Sequence, residues 1–380
     1  MTPPHTKHPM RPLLLAASLI TGSLLMPGFA SAQALPAGAG PAAESPNRFG
    51  LSYRMGFNMK VHFENLGGFQ PATMPAGPDA GAYADRVYDD GYNRVDNNGN
   101  TYLGYPPVTR NWGYYYGNDG VHPNQVSGNP PSGPTFILLH SASSPTTTAS
   151  DDQDNTPLHG LELTYNREIG RNEHWRWGLE SAFGYTGLSI RDRRALMTEA
   201  TRIEDSFEVP PDTLTGLRLI PPAPYYGSDA PGPLLGSQPT RTTTLVPGRA
   251  LITGDRRFDA DLFGFRLGPY LEYPLSDNVK LGLSSGFALA YVNSDFTFNE
   301  TVTIPGTGTL TRSGSGAHDS WRPGFYLSSI CSLALSESWS LFAGAQFQYL
   351  GTYTHSETAK RAVLDLRHAI FVNLGFSYSF

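Results

Sequence analysis

The sequence has 380 residues, of which only 16% are charged, and its formal net charge is -6. This balance offers no basic surface for nucleic acid, which we exclude as a partner. Cys331 is the only cysteine, which excludes an intramolecular disulfide and a cysteine-rich metal site. The 41 glycines, 32 prolines, 20 tyrosines and 20 phenylalanines predict an all-β chain with many turns and long loops.

The N-terminal region has the layout of an export signal. Two basic residues precede the apolar run LLLAASLITGSLL at 13–25, and the small residues ASA follow at 30–32. The run is shorter than the roughly 20 residues that a spanning helix needs, so we predict a cleaved signal peptide over 1–32. The Pro/Ala/Gly-rich residues 33–47 are predicted to form a flexible leader.

A strict alternation of apolar and polar residues begins at 48–63 and predicts a strand with one apolar and one polar face. The pattern returns in seven further segments, at 159–170, 174–190, 258–273, 278–292, 320–335, 338–350 and 364–380. Short connections alternate with long ones, which lie at 64–157, 191–257, 294–319 and 351–363. This order predicts an antiparallel up-and-down barrel over 48–380, with eight strands favoured over ten and with large first and second loops at 64–157 and 191–257.

The two faces of the strands indicate which side meets lipid. Aromatic residues stand at the ends of apolar bands of about ten residues, as expected where a transmembrane barrel meets the two bilayer interfaces. The other face combines glycine and serine with charges of both signs, which fits a narrow interior. We predict that these charges line the lumen: Arg54, Lys60, Glu162, Glu168, Arg176, Glu180, Arg266, Glu272, Lys280, Arg322, Asp365 and Arg367.

With its export signal, its alternation, its rhythm of connections and its closing FSYSF, the chain resembles the bacterial outer-membrane β-barrel proteins, in particular the small eight-stranded class. The resemblance covers 48–63 and 158–380. It implies an outer-membrane location with both termini in the periplasm, and contact with outer-membrane lipid and lipopolysaccharide. It also implies that Phe376, Tyr378 and Phe380 form the signal read by the barrel-assembly machinery.

An eight-stranded barrel is just wide enough for side chains to fill its interior. The predicted inward charges are nearly balanced, so we expect them to pair and to plug the lumen. Function would then lie in the outer loops, as a structural, binding or adhesive role. The first loop is rich in aromatic residues, which we predict to form a contact surface: Tyr88, Tyr92, Tyr102, Tyr105, Trp112, Tyr114, Tyr115 and Tyr116. This surface would bind a ligand, a surface glycan or a partner; alternatively, the loop packs on itself as a lid over the barrel mouth.

Two other functions stay open at this point. A barrel enzyme that modifies lipid A or cleaves protein would use His355 with Ser356, or the acidic residues of the first loop with His122. A small-solute channel would exploit strand interruptions at Pro269 and Pro323. We find no motif that supports catalysis and predict no catalytic residue, no cofactor and no metal site.

Overall fold

The structure is a computed structural model that describes residues 46–71, 74–96, 107–154, 156–227 and 232–380. The predicted signal peptide and nearly all of the predicted leader lie outside the described residues. The described residues form 21 strands: β1 (Asn47–Phe57), β2 (Lys60–Glu64), β3 (Arg86–Tyr88), β4 (Gly91–Asn93), β5 (Val108–Thr109), β6 (Trp112–Tyr114), β7 (Val126–Gly128), β8 (Thr135–Ser143), β9 (Gln153–Asp154), β10 (Leu158–Arg171), β11 (Arg176–Asp192), β12 (Leu196–Glu208), β13 (Tyr225–Tyr226), β14 (Leu235–Gly236), β15 (Thr240–Pro274), β16 (Val279–Ile304), β17 (Gly308–Ala334), β18 (Trp339–Tyr349), β19 (Thr352–Glu357), β20 (Lys360–Asp365) and β21 (Ala369–Ser379).

In the part of the chain that the structure describes, the helical content is a short 3₁₀ turn at Pro78–Ala80. None of the described residues belongs to a helix long and apolar enough to cross a bilayer. The prediction of an all-β, antiparallel chain is therefore confirmed.

Eight strands pair in a ring. The antiparallel order is β11-β10-β1-β21-β18-β17-β16-β15, and a further pairing joins β15 back to β11. The first part of β15 also pairs with β12, which continues to β8 and β7 and extends this sheet to 11 strands. Each of the eight segments predicted from sequence contains one strand of the ring or most of its part in the ring, and two of the segments also include residues of β2 or β20, which lie outside the ring.

The ring has a defined stagger. Following directly paired residues from Tyr185 of β11 through β15 and β16 leads to Trp321 of β17. Following them the other way, through β10, β1, β21 and β18, leads to Cys331 of the same strand. The two routes end ten residues apart on β17. Tilted strands that close on themselves require a stagger of this kind.

Three strands extend far beyond their predicted ends, since β15 has 35 residues, β16 has 26 and β17 has 27. The predicted loop at 294–319 is wrong, because β16 and β17 continue as a hairpin with a turn at 305–307. In this extension the inward positions become apolar; for example, Phe296 and Val302 are buried. We call this part, together with β2, β9, β19 and β20, the outer tier, and the rest of the ring the ring tier.

The outer tier is built around an apolar core. The four-stranded sheet β19-β20-β2-β9 packs with the extensions of β15, β16 and β17. Two predicted strands are interrupted where this sheet begins. A positive φ at Asn58 separates β1 from β2, and residues 366–368 separate β20 from β21. The core includes Phe63, Ile252, Phe258, Phe296, Val302 and Leu364.

The predicted loops at 64–157 and 191–257 contain a second folded part, which we call the outer module. A four-stranded sheet, β13-β6-β4-β3, draws its strands from both predicted loops, and β14 pairs with β5. This module packs against β8 and β12 around a separate core of Tyr88, Trp112, Tyr114, Ile137, Leu139, Phe207, Val209 and Leu235.

Candidate functional site

Inside the ring tier, charged side chains pair across the interior. The Arg266 guanidinium lies 2.7 Å from Glu162 and 3.2 Å from Glu180, and Arg54 lies 3.4 Å from Glu162. All four side chains are buried. Asn373 donates to Glu162 over 3.0 Å. Two arginines thus offset two glutamates among buried side chains, where unpaired charges are costly.

The remaining charges at the short-connection end also face inward. Arg48 forms an ion pair with the buried Glu272. Glu168, Arg176 and Lys280 are half-buried. Arg48 is the first residue of the predicted strand and was not among the predicted lumen charges.

The space left between these groups is small. One cavity of about 30 Å³ is lined by Arg48, Glu180 and Glu272, and another of about 10 Å³ by Arg54 and Phe371. A single water needs about 10–15 Å³. The interior therefore has room for isolated waters beside the charged groups.

Three predicted lumen charges lie elsewhere. Lys60 is in β2 of the outer tier, 3.5 Å from Asp152. Asp365 and Arg367 form an ion pair of 2.6 Å, and the Arg367 side chain is 53% exposed. These placements follow from the interruptions after β1 and before β21, which take the residues out of the ring. Arg322 is half-buried, with its guanidinium carbon 5.3 Å from the centre of the Tyr353 ring.

On the outward face of the ring tier, the residues change from apolar to polar next to one row of paired aromatic residues. Four aromatic residues are directly paired on adjacent strands: Tyr185, Phe263, Tyr291 and Trp321. Their neighbouring ring centroids are 5.0–6.3 Å apart. The next outward positions of the same strands, toward the outer tier, are Gly187, Asp261, Asn293 and Asp319.

A second aromatic row lies at the short-connection end. It consists of directly paired residues on β18, β21, β1 and β10: Trp339, Tyr378, Phe49 and Tyr165. Phe380 stacks on Phe49 at 5.7 Å, and its N–H donates to the carbonyl of Asn47 over 3.0 Å. Between the two rows the outward residues are largely exposed and apolar, such as Leu267, Phe287 and Phe376. The residues of the predicted assembly signal thus end this apolar surface on β21.

The predicted tyrosine contact surface divides into two groups. Tyr88, Trp112 and Tyr114 are buried in the core of the outer module, so their assignment to a contact surface is wrong. The packing of this module against β8 and β12 encloses them. Tyr102 and Tyr105 lie outside the described residues. Tyr92 and Tyr115 are partly exposed, and Tyr116 is exposed with its ring stacked on His122 at 3.6 Å.

A row of paired residues forms the other face of the module's sheet: Val87, Tyr92, Gly113 and Tyr226. The Tyr92 ring lies over Gly113, where a Cβ would come within 2.6 Å of it. Its hydroxyl donates to the carbonyl of Gly227 over 2.7 Å. Tyr226 is 65% exposed, and its ring centroid lies 5.2 Å from that of Tyr115. We call Tyr92, Tyr115 and Tyr226 the tyrosine face.

Of the two histidines named in the enzyme alternative, His122 contacts an acidic residue of the first loop, as that alternative required, whereas His355 has a partner other than Ser356. His355 is buried and its Nδ1 lies 2.8 Å from the Oγ of Ser294, not beside Ser356. His122 lies 2.7 Å from Asp119 at the surface. The strand prolines sit within the ladders, with Pro269 opposite Leu179 and Pro323 opposite Leu289.

The structure also joins residues that sequence analysis left apart. The Nδ1 of His140 is 2.6 Å from Asp90, and its Nε2 is 3.2 Å from Glu204. Asp90 also accepts the backbone N–H of His140 over 2.7 Å. These contacts fix the turn between β3 and β4 onto β8. No group of His, Cys, Asp and Glu among the described residues has the arrangement of a metal site.

Comparisons with known proteins identify no family. No protein-family model matches the chain, and no curated protein matches it. Among solved structures, Ail, the attachment invasion locus protein of Yersinia pestis, aligns with 89% of this chain and 100% of its own at 9% identity and a TM-score of 0.26. The outer membrane protease OmpT from Escherichia coli aligns with 89% of this chain and 98% of its own at 9% identity and a TM-score of 0.27. The Ralstonia pickettii toluene transporter TbuX aligns with 89% of this chain and 90% of its own at 8% identity and a TM-score of 0.17. At these scores the similarities carry no functional assignment.

Proposed function

We propose that the protein is an eight-stranded outer-membrane β-barrel with a plugged polar lumen, both termini in the periplasm, and a non-enzymatic binding role carried by its outer module. One observation carries the proposal: the outward residues change from apolar to polar beyond the aromatic row of Tyr185, Phe263, Tyr291 and Trp321. An apolar surface bounded by aromatic rows matches the band that a barrel presents to lipid. The outer tier has polar outward residues and an apolar interior, which is the pattern expected of a part that is surrounded by water.

The side chains inside the ring support the proposal of a plugged lumen. Arg54, Glu162, Glu180 and Arg266 occupy the lumen as paired charges. A water-filled pore belongs to barrels of about 16 strands or more. We therefore expect no steady large conductance from the purified protein in planar bilayers.

Insertion is tested by heat-modifiable migration on a gel and by trypsin treatment of intact cells. The ring tier should resist trypsin in the membrane and lose that resistance after boiling. Complete digestion of unboiled protein in membranes would contradict the barrel. These measurements concern the barrel alone and do not depend on any ligand.

The binding role rests on the tyrosine face. Tyrosine offers a large, rigid and amphipathic contact area at low cost in conformational entropy. Tyr92 is held flat on the sheet, and Tyr226 is open to solvent. We propose that this face contacts a surface glycan or an extracellular protein.

Binding is tested with cells that display the protein, applied to a panel of immobilised glycans and matrix proteins. Tyr92→Ala combined with Tyr226→Ala should abolish retention that wild-type cells show. Tyr83→Ala changes a 63% exposed tyrosine outside the tyrosine face and should leave retention unchanged. Equal retention of cells that display the wild type, the double variant and Tyr83→Ala, with all three proteins folded, would contradict the role of this face.

A further inference from the structure

The outer tier has a seam at which no backbone ladder crosses. Over residues 308–324, β17 pairs with β16 on one side, and its pairing with β18 begins at Phe325 with Tyr349. On the other side lies β19, at the end of the separate four-stranded sheet. Among the described strands no ladder joins β17 to β19. Side-chain contacts therefore hold this seam.

The central contact is a hydrogen-bond network at His355. The Tyr353 hydroxyl donates to the carbonyl of His318 over 2.7 Å. The Ser294 Oγ lies 2.7 Å from that hydroxyl, 3.1 Å from the same carbonyl and 2.8 Å from the Nδ1 of His355. In the arrangement in which both hydroxyls donate to the His318 carbonyl, Nδ1–H of His355 donates to Ser294. Its Nε2 is then the unprotonated nitrogen, and it lies beside Gly316, where a Cβ would be 3.6 Å away.

The surroundings of His355 disfavour a charge on its ring. The residue is 1% exposed and lies against the edges of Phe258 and Phe296, at 6.5 Å and 5.8 Å between ring centroids. The His318 ring is 5.7 Å away. Burial lowers the pKa of His355, and His318 lowers it further.

Other charged groups face this network from each neighbouring strand. Glu357 of β19 and Asp295 of β16 raise the pKa of His355, which opposes the effect of burial without reversing it. Arg322 and Asp319 of β17 act on the neighbouring Tyr353. A protonated Nε2 would therefore sit in an aromatic pocket between a second histidine and two carboxylates.

We propose that the seam between β17 and β19 is an acid-sensitive latch, in which protonation of His355 at Nε2 releases the hairpin of β19 and β20 from β16 and β17. Gly351, at a φ of 72°, and residues 366–368 connect this hairpin to the ring tier and supply its hinges. The closed seam binds a proton at His355 more weakly than the open one. The seam is therefore stable above the ordinary histidine pKa of about 6.5 and loses stability as the pH falls below it.

Hydrogen exchange on the full-length protein in outer-membrane vesicles tests the latch. Amides at 352–365 should lose protection between pH 7.5 and pH 5.0, after correction for intrinsic exchange. His355→Gln keeps a donor for Ser294 but does not titrate, so this loss should disappear. His122→Gln, at a partly exposed histidine of the outer module, should behave as the wild type. An unchanged loss in His355→Gln, or no loss in the wild type, would overturn the proposal.

Three further variants test the same assignment. Glu357→Gln and Asp295→Asn remove the facing carboxylates, and a loss of protection that vanishes in these variants but persists in His355→Gln would assign the switch to a carboxylate and overturn the proposal. His318→Gln removes the neighbouring ring that disfavours protonation and should reduce the loss. If His355→Gln does not fold, an unchanged pH response in His318→Gln overturns the proposal instead.

Discussion

The Arg266 guanidinium of β15 reaches over β11 and meets the Glu162 carboxylate of β10 at 2.7 Å. The two strands are not neighbours in the ring, so this ion pair crosses its interior. Glu162 also contacts Arg54 of β1 and Asn373 of β21. One carboxylate therefore links four strands from within.

Removing the charge of Glu162 should be strongly destabilising. Glu162→Gln leaves Arg54 and Arg266 buried with one remaining carboxylate, Glu180, and breaking a buried ion pair costs about 3–5 kcal/mol. The free energy of unfolding in urea, measured in lipid vesicles, should fall by about this amount. Glu173→Gln, at an exposed site in the connection between β10 and β11, serves as the control. Equal stability of the two variants would show that the network does not hold the ring together.

The position of the lipid boundary can be tested on a single strand. Phe287 and Thr297 of β16 both point outward, on opposite sides of the Tyr291 rung. Phe287→Arg should destabilise the inserted protein by about 2–4 kcal/mol, the cost of arginine near the bilayer midplane. Phe287→Ala measures the effect of losing the phenyl group without the introduction of a charge. Thr297→Arg should fold into vesicles as the wild type does, and an equal penalty at both sites would contradict the boundary.

The ring could be predicted from sequence because its signal is local. Alternation over ten or more residues gives a strand, and each predicted segment became one. The extension of β16 carries a local signal too, since the alternation continues beyond Tyr291 with its apolar and polar faces exchanged. Phe296 and Phe298 occupy the inward positions that Ser284 and Ala288 occupy in the ring tier. We predicted a loop there because the outward residues had become polar.

The outer module could not be predicted from sequence in the same way. Trp112 and Tyr114 are buried by residues far along the chain, such as Phe207 and Leu235. The partners of His140 are 50 and 64 residues away. Strands of two or three residues leave no periodicity to detect, and their pairing depends on contacts between the two predicted loops.

The connection after β2 is held by a buried charge. The Lys360 ammonium donates to the carbonyl of Gly67 over 2.8 Å and to Glu300 over 2.7 Å. Glu300 in turn accepts the N–H of Gly67 over 3.0 Å. Lys360→Met should cost about 2–3 kcal/mol, because it removes the shorter of two hydrogen bonds to the Gly67 carbonyl and leaves Glu300 with Arg256 as its remaining ion-pair partner.

The effect of Lys360→Met should be local. Hydrogen exchange at residues 64–71 should rise while exchange in the ring tier stays unchanged. Arg361→Met alters the adjacent, exposed residue of the same strand and should leave these amides protected. Unaltered protection in both variants would mean that Lys360 does not anchor this connection.

The turn between β3 and β4 should respond to pH through Asp89. Its carboxylate accepts the N–H of Ala142 over 2.8 Å, and burial raises its pKa to about 6. Since the folded-state pKa lies above the unfolded value of 3.8, the stabilising effect of the proton is complete below pH 3.8 and is lost as the pH rises through about 6. Asp89→Asn keeps an acceptor for Ala142 and carries no charge, so it should stabilise this contact at pH 7.5 by about 1 kcal/mol after allowance for solvent screening.

Hydrogen exchange at the Ala142 amide, compared at pH 4 and pH 7.5, measures this difference. The wild type should lose protection on going to pH 7.5, and Asp89→Asn should lose less. Asp85 provides a matched control, because its exposed carboxylate also accepts one backbone N–H, that of Val95, over 2.8 Å. Asp85→Asn should leave the pH response at Ala142 unchanged. A response that is the same in Asp89→Asn as in the wild type would contradict its assignment to Asp89.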